Sequence, residues 1–246
     1  MPAIELDALD LAALLCSRVC HDVISPVGAI VNGLEVLEEE KDAEMRAIAT
    51  DLIRKSARTA SAKLQFCRLA FGAAGSAGAS IDTGDAEQVA RNLFEDDRTR
   101  LEWNAPRALM PKNKVKLLLN MCLIAGACIP RGGLMKVEVE GADDKTTLTV
   151  TVAGPNLRLA SSVPPLLAGE PESGSVDAHG VQAYYAGLVA RESGLRIEAQ
   201  TLEASVVVRA APAQAQEADK QEAGKEEAGK QDAADAPADG REAGEA

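Results

Sequence analysis

His21-Asp22-Val23-Ile24-Ser25-Pro26 lies inside a long helical pattern near the start of the chain. On a helix, Ser25 stands one turn beyond His21, so its hydroxyl lies on the same side as the imidazole. The carboxylate of Asp22 can accept the N–H of one ring nitrogen, which makes the other nitrogen a better nucleophile. Pro26 has no N–H, so the carbonyl of Asp22 loses its partner within the helix. These residue types predict a helical histidine that acts as a nucleophile.

The apolar side chains of this helix lie opposite His21 when residues are placed at about 100° each. They form the stripe Ala12, Cys16, Val19, Val23, Val27, Ile30, Leu34 and Leu37. The neighbours on the side of His21 are mostly small or polar: Leu14, Ser17, Arg18, Ser25, Gly28 and Asn32. We therefore expect His21 to point outwards on a surface that a partner can approach. The alternative is that His21 is a surface histidine without a function. The spacing of Asp22, Ser25 and Pro26 from His21 disfavours this alternative.

The composition limits the classes of function. Hydrophobic residues make up 46% of the 246 residues and aromatic residues only 2%, so we expect an aliphatic core. A net charge of −12 argues against nucleic-acid binding, which is typical of basic domains. Five cysteines, an odd number in helical patterns, indicate reduced thiols and a cytoplasmic location. The N-terminus lacks the basic region of a signal peptide, and the apolar stretch 115–129 is too short for a membrane span.

A second long helix is predicted over 42–71, after a turn in an acidic cluster. Its apolar residues recur at helical spacing, and its other side is basic. The basic residues are Arg46, Arg54, Lys55, Arg58, Lys63 and Arg68. An αα-hairpin over residues 1–72 cannot bury its apolar stripe alone, so we expect two copies to form a dimeric four-helix bundle. The alternative is a hairpin that packs only on its own C-terminal domain.

The rest of the chain has a different organisation. Residues 73–82 are small and Gly-rich, which is typical of a linker. Over 83–211, helices are predicted at 85–94, 114–128 and 176–193, and strands at 98–103, 134–140, 146–152, 196–201 and 205–209. Helices alternating with mostly antiparallel strands predict a two-layer α/β sandwich, and thus an α+β protein. The tail 212–246 holds ten acidic and four basic residues, and its composition predicts disorder.

The order of hairpin, linker and sandwich resembles the transmitter of histidine kinases, over about residues 7 to 210. The grouping of His, acid, hydroxyl residue and Pro is similar to their phospho-acceptor box. Four residues depart from the kinase's nucleotide-binding boxes, and one of them is Asn156, which replaces the last glycine of the second box. Ile124 replaces the asparagine that holds Mg²⁺, Val152 the aspartate that reads adenine, and Gln182 a glycine that admits phosphates. This degenerate sandwich is expected not to bind ATP usefully.

Longer runs resemble the ChpT-type histidine phosphotransferases. They are residues 21–30, 68–78, 111–120, 129–133 and 177–185. The resemblance implies a dimer that accepts a phosphoryl group on His21 from the receiver domain of a hybrid kinase (CckA-like). It then passes the group to the aspartates of response-regulator receivers (CtrA-like and CpdR-like) that control the cell cycle. No cofactor of its own is expected, because Asp22 is the sole carboxylate near His21 and the receiver supplies the Mg²⁺.

Transfer between proteins requires a close approach to His21. The small residues Ser17, Ser25 and Gly28 permit such an approach. Arg18, with Arg54 and Arg58 on the second helix, would steer an acidic receiver.

Two other functions stay open from the sequence. One is an ATP-dependent histidine kinase, which the replaced boxes disfavour. The other is a non-catalytic dimer scaffold that binds receivers. His179, the second of the chain's two histidines, lacks an acid-and-Pro box, so a structural or capping role is favoured for it.

Overall fold

The N-terminal region is an antiparallel hairpin of two long helices, α1 (Ala8–Glu39) and α2 (Ala43–Ala70). It is seen in a computed structural model that describes residues 4–72 and 79–213. Asp7 caps α1 by accepting the N–H groups of Leu9 and Asp10, both at 2.8 Å. Asp42 caps α2 in the same way, through Glu44 and Met45. Each cap satisfies donors that the first helical turn leaves without partners, so it fixes where the helix begins.

The second region alternates strands and helices. Its elements are β1 (Ser80–Asp82), α3 (Thr83–Phe94), β2 (Thr99–Asn104), β3 (Leu109–Pro111), α4 (Lys112–Ala127), β4 (Gly133–Glu140), β5 (Thr147–Ala153), α5 (Val163–Ala168), α6 (Val181–Glu192), β6 (Arg196–Thr201) and β7 (Val206–Ala211). The main sheet has the order β2-β4-β5-β7-β6, in which β2 and β4 are parallel and the other neighbours antiparallel. The two short strands β1 and β3 pair apart from it. The predicted α+β class is confirmed.

One face of the sheet and the helices α4 and α6 enclose the core. Val137, Val150 and Val208 stand in register on neighbouring strands and are fully buried. Helix α4 lies between the sheet and other helices, and ten of its 16 residues are buried. A helix that is covered on several sides carries apolar residues around most of its circumference, which explains the strongly apolar sequence of this segment.

The two regions are joined by polar and aromatic contacts. The buried Asn120 of α4 donates from Nδ2 to the carbonyl of Ala70 at the end of α2, at 3.0 Å. Tyr184 of α6 donates its hydroxyl to the Ile4 carbonyl and accepts the N–H of Leu6. Phe66 of α2 meets Phe94 of α3 edge-to-face, with ring centroids 5.5 Å apart. These contacts hold the start of α1 and the end of α2 against the α/β domain.

Several element boundaries differ from those predicted. The helix expected to begin at residue 176 begins at Val181, because the Asp177 carboxylate accepts the N–H groups of His179 and Gly180 in a preceding turn. Strand β1 occupies the last three residues of the predicted linker. The sequence pattern missed the short elements β1, β3 and α5. Residues 73–78 of the linker and 214–246 of the tail lie outside the described residues.

Candidate functional site

His21 lies on the outward face of α1. Its side chain is 72% exposed, and Nδ1 stands 3.3 Å from Oδ1 of Asp22. Asp22 Oδ1 is therefore within reach of a proton on Nδ1, which favours the tautomer with the lone pair on Nε2. On this exposed side chain, Nε2 is then the ring nitrogen with a lone pair to offer to a partner's electrophile.

Asp22 is held by two cationic side chains. Arg18, one turn earlier on α1, forms an ion pair from Nε to Oδ2 at 3.0 Å. Lys63 of α2 donates from Nζ to the Asp22 carbonyl at 2.7 Å. All three residues are half-buried. Water and salt therefore screen the attraction between Asp22 and these cations less than they screen an exposed ion pair. Sequence reasoning named Arg18 as a residue that steers partners, but it did not place Lys63 at the site.

The remaining predicted docking residues lie around His21 or farther along the hairpin. Ser17 and Ser25 are exposed one turn on either side of His21. A Cβ added at Gly28 would meet nothing within 4 Å, so the space above that residue is open.

Arg54 and Arg58 are both exposed on α2. The contact of Lys63 with Asp22, and the close approach of Gly33 to Ile53, set the helices in register. Arg58 then lies level with about residue 28 and Arg54 with about residue 32, roughly 10 and 16 Å along the axis from His21. Arg54 also faces Asp51, with 3.9 Å between the charged atoms. The structure thus places Ser17, Arg18 and Ser25 at His21, and the two arginines of α2 at a distance.

His179 is brought to His21 by the fold. The two rings are nearly perpendicular, with centroids 6.1 Å apart. Asp177 accepts the backbone N–H of His179 and so fixes the loop that presents the ring. The histidine is therefore a neighbour of the candidate acceptor, contributed by the α/β domain. The sequence carries no signal for this contact, since the two residues belong to different domains.

Cys67 is a residue of α2 that lies near Asp22 of α1. Burial, and next the charge of Asp22, raise the pKa of this thiol to about 11. The thiol is thus protonated at neutral pH, and it is not a competing nucleophile because the thiolate is the reactive form.

A cavity of about 590 Å³ lies beside this site, between α4, α6 and the loop that precedes α6. Its lining includes Arg18, Ile124, His179 and Gln182. Ile124 and Gln182 are two of the positions that differ from the nucleotide-binding boxes of the kinases. Asn120 is fully buried behind it, donates to Ala70 and Lys116 carbonyls, and accepts from the Gln182 amide. Asn120 stands where the kinase's asparagine box has its first asparagine, and here its side chain is occupied by structural hydrogen bonds.

The comparisons with known proteins agree with one another. The family described as the histidine phosphotransferase C-terminal domain matches residues 83–205. The protein phosphotransferase ChpT of Brucella abortus (strain 2308) is 52% identical over 207 residues, which cover 84% of this chain and 98% of that protein. The chain belongs to the ChpT family of histidine phosphotransferases. The chain is therefore an enzyme, a histidine phosphotransferase.

One solved structure supports the same family for this chain. The structure of a bacterial phosphotransferase is 48% identical, with a TM-score of 0.77, and covers 85% of this chain and 98% of that one. The Acinetobacter baumannii histidine kinase AdeS is 12% identical, with a TM-score of 0.41 over 77% of this chain and 95% of that one. The match to the bacterial phosphotransferase covers enough of this chain to include both the hairpin and the α/β domain.

Helix α1 is long and apolar enough to cross a membrane by length and composition. In this ChpT-family chain, α1 carries Arg18, His21 and Asp22 near its middle and packs along α2. Charged groups at mid-membrane depth are costly, so these features are those of a bundle helix.

Proposed function

We propose that His21 accepts a phosphoryl group on Nε2 from the aspartyl phosphate of a hybrid kinase's receiver domain, and passes it to response-regulator receivers. The observation that carries this proposal is an exposed imidazole whose Nδ1 faces the Asp22 carboxylate at 3.3 Å. By the family resemblance, the donor is CckA-like and the acceptors are CtrA-like and CpdR-like. The proposed setting is a cytoplasmic phosphorelay with protein partners, without nucleic acid or membrane.

The proposed transfer of the phosphoryl group to His21 needs no reactant other than His21 and the receiver's aspartyl phosphate. The lone pair of Nε2 forms the N–P bond while the bond between phosphorus and the aspartyl oxygen breaks, and the leaving carboxylate keeps that electron pair. The ring becomes an N-phosphorylated imidazolium whose Nδ1–H and positive charge both face Asp22. Delivery to the next receiver reverses these bond changes. The work of the site is positioning and charge stabilisation, as for phosphoryl transfer in general.

The metal is assigned to the partner. Among residues 4–72 and 79–213 there is no group of three or more His, Cys, Asp or Glu side chains arranged to hold a metal ion. We propose that the carboxylate cluster of the receiver supplies Mg²⁺. The receiver must then bring its aspartate in line with Nε2 and exclude water.

Two alternatives are tested by the same experiment. The open cavity of about 590 Å³ favours an ATP-dependent kinase by size, because it falls in the range of small-molecule sites. Its chemistry argues against this, since Ile124 cannot bind a metal and Asn120 is already bonded. In a non-catalytic scaffold, the contact between Asp22 and His21 would have no function, and this contact therefore argues against the scaffold.

The experiment is transfer from a receiver carrying labelled aspartyl phosphate, beside a control with labelled ATP and Mg²⁺. We expect label on the wild-type chain from the phospho-receiver and none from ATP alone. Label from ATP alone would establish the kinase alternative. If the chain binds the receiver but takes up label neither from the phospho-receiver nor from ATP, the scaffold alternative would be established.

Docking over the face of His21 makes a separate prediction. Gly28→Phe should block transfer from the phospho-receiver while the helix stays folded, because the new side chain projects into open space. Gly28→Ala is the matched control at the same position: its Cβ would meet nothing within 4 Å and is too small to block a partner, so transfer should persist. Unchanged transfer by Gly28→Phe would show that receivers dock elsewhere.

A homodimer completes the proposal. The hairpin leaves a set of large apolar side chains at least 43% exposed in the single chain. They are Ile24, Val27, Val31, Leu34, Met45, Ile48, Leu52 and Leu64. Two copies packed as a four-helix bundle would cover this apolar patch.

Light scattering tests the dimer. Val27→Asp should yield monomers, because it would bury an unpaired carboxylate in the interface. Asn32→Asp, which adds the same charge on another side of α1, should stay dimeric. A monomeric wild-type chain would remove the basis for the bundle.

A further inference from the structure

The helix that carries His21 has a gap in its hydrogen-bond ladder at the residue that faces the imidazole. In an α-helix the N–H of each residue is donated to the carbonyl four residues earlier. Pro26 is buried in the middle of α1 and has no N–H to give. The carbonyl left without its helical donor is that of Asp22.

The missing donor is supplied by the other helix. Lys63 Nζ donates to the Asp22 carbonyl at 2.7 Å, across 41 residues of sequence. The bond is charge-assisted and half-buried, so it is stronger than an ordinary exposed hydrogen bond. An ammonium on a flexible stem can reach this carbonyl in a way that a backbone group of α2 could not.

Asp22 is thereby fixed at both ends. Arg18 holds Oδ2 at 3.0 Å while Lys63 holds the carbonyl oxygen, and Oδ1 remains directed at Nδ1 of His21. A rotation of this helical turn would move Oδ1 and the imidazole together. The direction in which Nε2 faces a partner therefore depends on how this turn is held.

We propose that Lys63 is a positioning residue for phosphoryl transfer, which replaces the N–H that Pro26 lacks and so fixes the turn that presents His21. This inference rests on the proposed role of His21 as acceptor. It assigns to Pro26 and Lys63 a joint function: proline opens the ladder, and α2 sets the geometry of the site. The register of the hairpin is thus coupled to the orientation of the nucleophile.

The test is a cycle of variants with Lys63→Met and Pro26→Ala. Lys63→Met should lower the transfer rate at saturating phospho-receiver by roughly tenfold, with little change in receiver affinity, because a small misplacement acts on the reacting geometry. Pro26→Ala restores an N–H to the Asp22 carbonyl. In the Pro26→Ala background, Lys63→Met should therefore have almost no further effect on the rate.

Two controls separate this role from simple loss of charge. Lys55→Met removes an exposed lysine of the same helix that pairs with Asp51, and it should leave the saturated rate unchanged. Lys63→Arg keeps a donor and a charge and should retain most of the rate. The ¹⁵N chemical shifts of the His21 ring should change in Lys63→Met and return in the double variant, which a merely stabilising role would not produce.

The outcomes are distinct. A wild-type rate in Lys63→Met, or the same loss in both backgrounds, would overturn the role of Lys63 while leaving His21 as acceptor. Label that persists in His21→Ala would instead overturn the proposed function. If Lys63→Met unfolds the hairpin, Pro26→Ala and the double variant must transfer equally for the proposal to stand.

Discussion

The helical hairpin and the α/β domain differ in how much apolar surface the chain itself buries. Helix α1 buries two of its 32 residues, Pro26 and Gly33, whereas α4 buries ten of 16. Ile24 on α1 is 70% exposed, while Leu118 on α4 is fully buried. The α/β domain thus buries its apolar surface within one chain, whereas the hairpin leaves much of its own apolar surface exposed. The exposed histidine stands on the hairpin, which is the region where we propose that other proteins bind.

The sharpest way to test this contrast is to remove the ring of each histidine in turn. His21→Ala should abolish labelling by a phospho-receiver while fold and assembly persist, because the side chain is exposed. His179→Ala, the matched change in the α/β domain, should still become labelled on His21. Labelling of the His21→Ala variant would show that the acceptor lies elsewhere.

A smaller loss is expected from the group that orients the nucleophile. Asp22→Asn keeps the shape of the side chain but removes the charge that faces Nδ1 and Arg18, so transfer should slow by roughly 10²- to 10⁴-fold. Asp51→Asn, which loses an ion pair with Lys55 far from the histidine, is the control. Rapid-quench measurement of phosphohistidine gives the rates, and equal rates for both variants would contradict the orienting role.

Stability should distinguish the two regions when the same side chain is shortened in each. Leu118→Ala creates a cavity in the α/β core and should lower the free energy of unfolding by about 2–5 kcal/mol. Leu34→Ala, at a position 48% exposed, should lower the stability of the single chain far less and weaken the proposed dimer instead. Denaturation followed by fluorescence of Trp103, the sole tryptophan, reports on the α/β domain. Equal losses would mean that the hairpin and the domain share one core.

The smallest effect concerns the arginines. Arg58→Ala should slow receiver association roughly two- to fivefold at low salt and have no effect at high salt, as for an exposed steering charge. Arg18→Ala should slow the transfer step at both salt concentrations, since the side chain holds Asp22 at 3.0 Å. Stopped-flow binding and quenched transfer at two ionic strengths separate the two roles. If salt removes the effect of Arg18→Ala as well, that arginine acts only by steering.

The sequence was enough for the fold class and the main elements. A helical period defines the hairpin, and alternation defines β4 and β5. It was insufficient for β1, β3 and α5, which are too short for a period to show. It also placed the start of α6 too early, because the Asp177 turn competes with the helix for the same N–H groups.

The sequence by itself determined the chemistry of the candidate site and the replacements at Ile124, Val152 and Gln182, since these depend on residue types and on spacing within one helix or one motif. It also indicated that Pro26 leaves the Asp22 carbonyl without a donor. The tertiary structure decided which group supplies that donor and which residues surround His21. Lys63 arrives through the register of two packed helices, and His179 through the docking of one domain on the other. Such contacts follow from how surfaces fit together, and no local pattern in the chain encodes them.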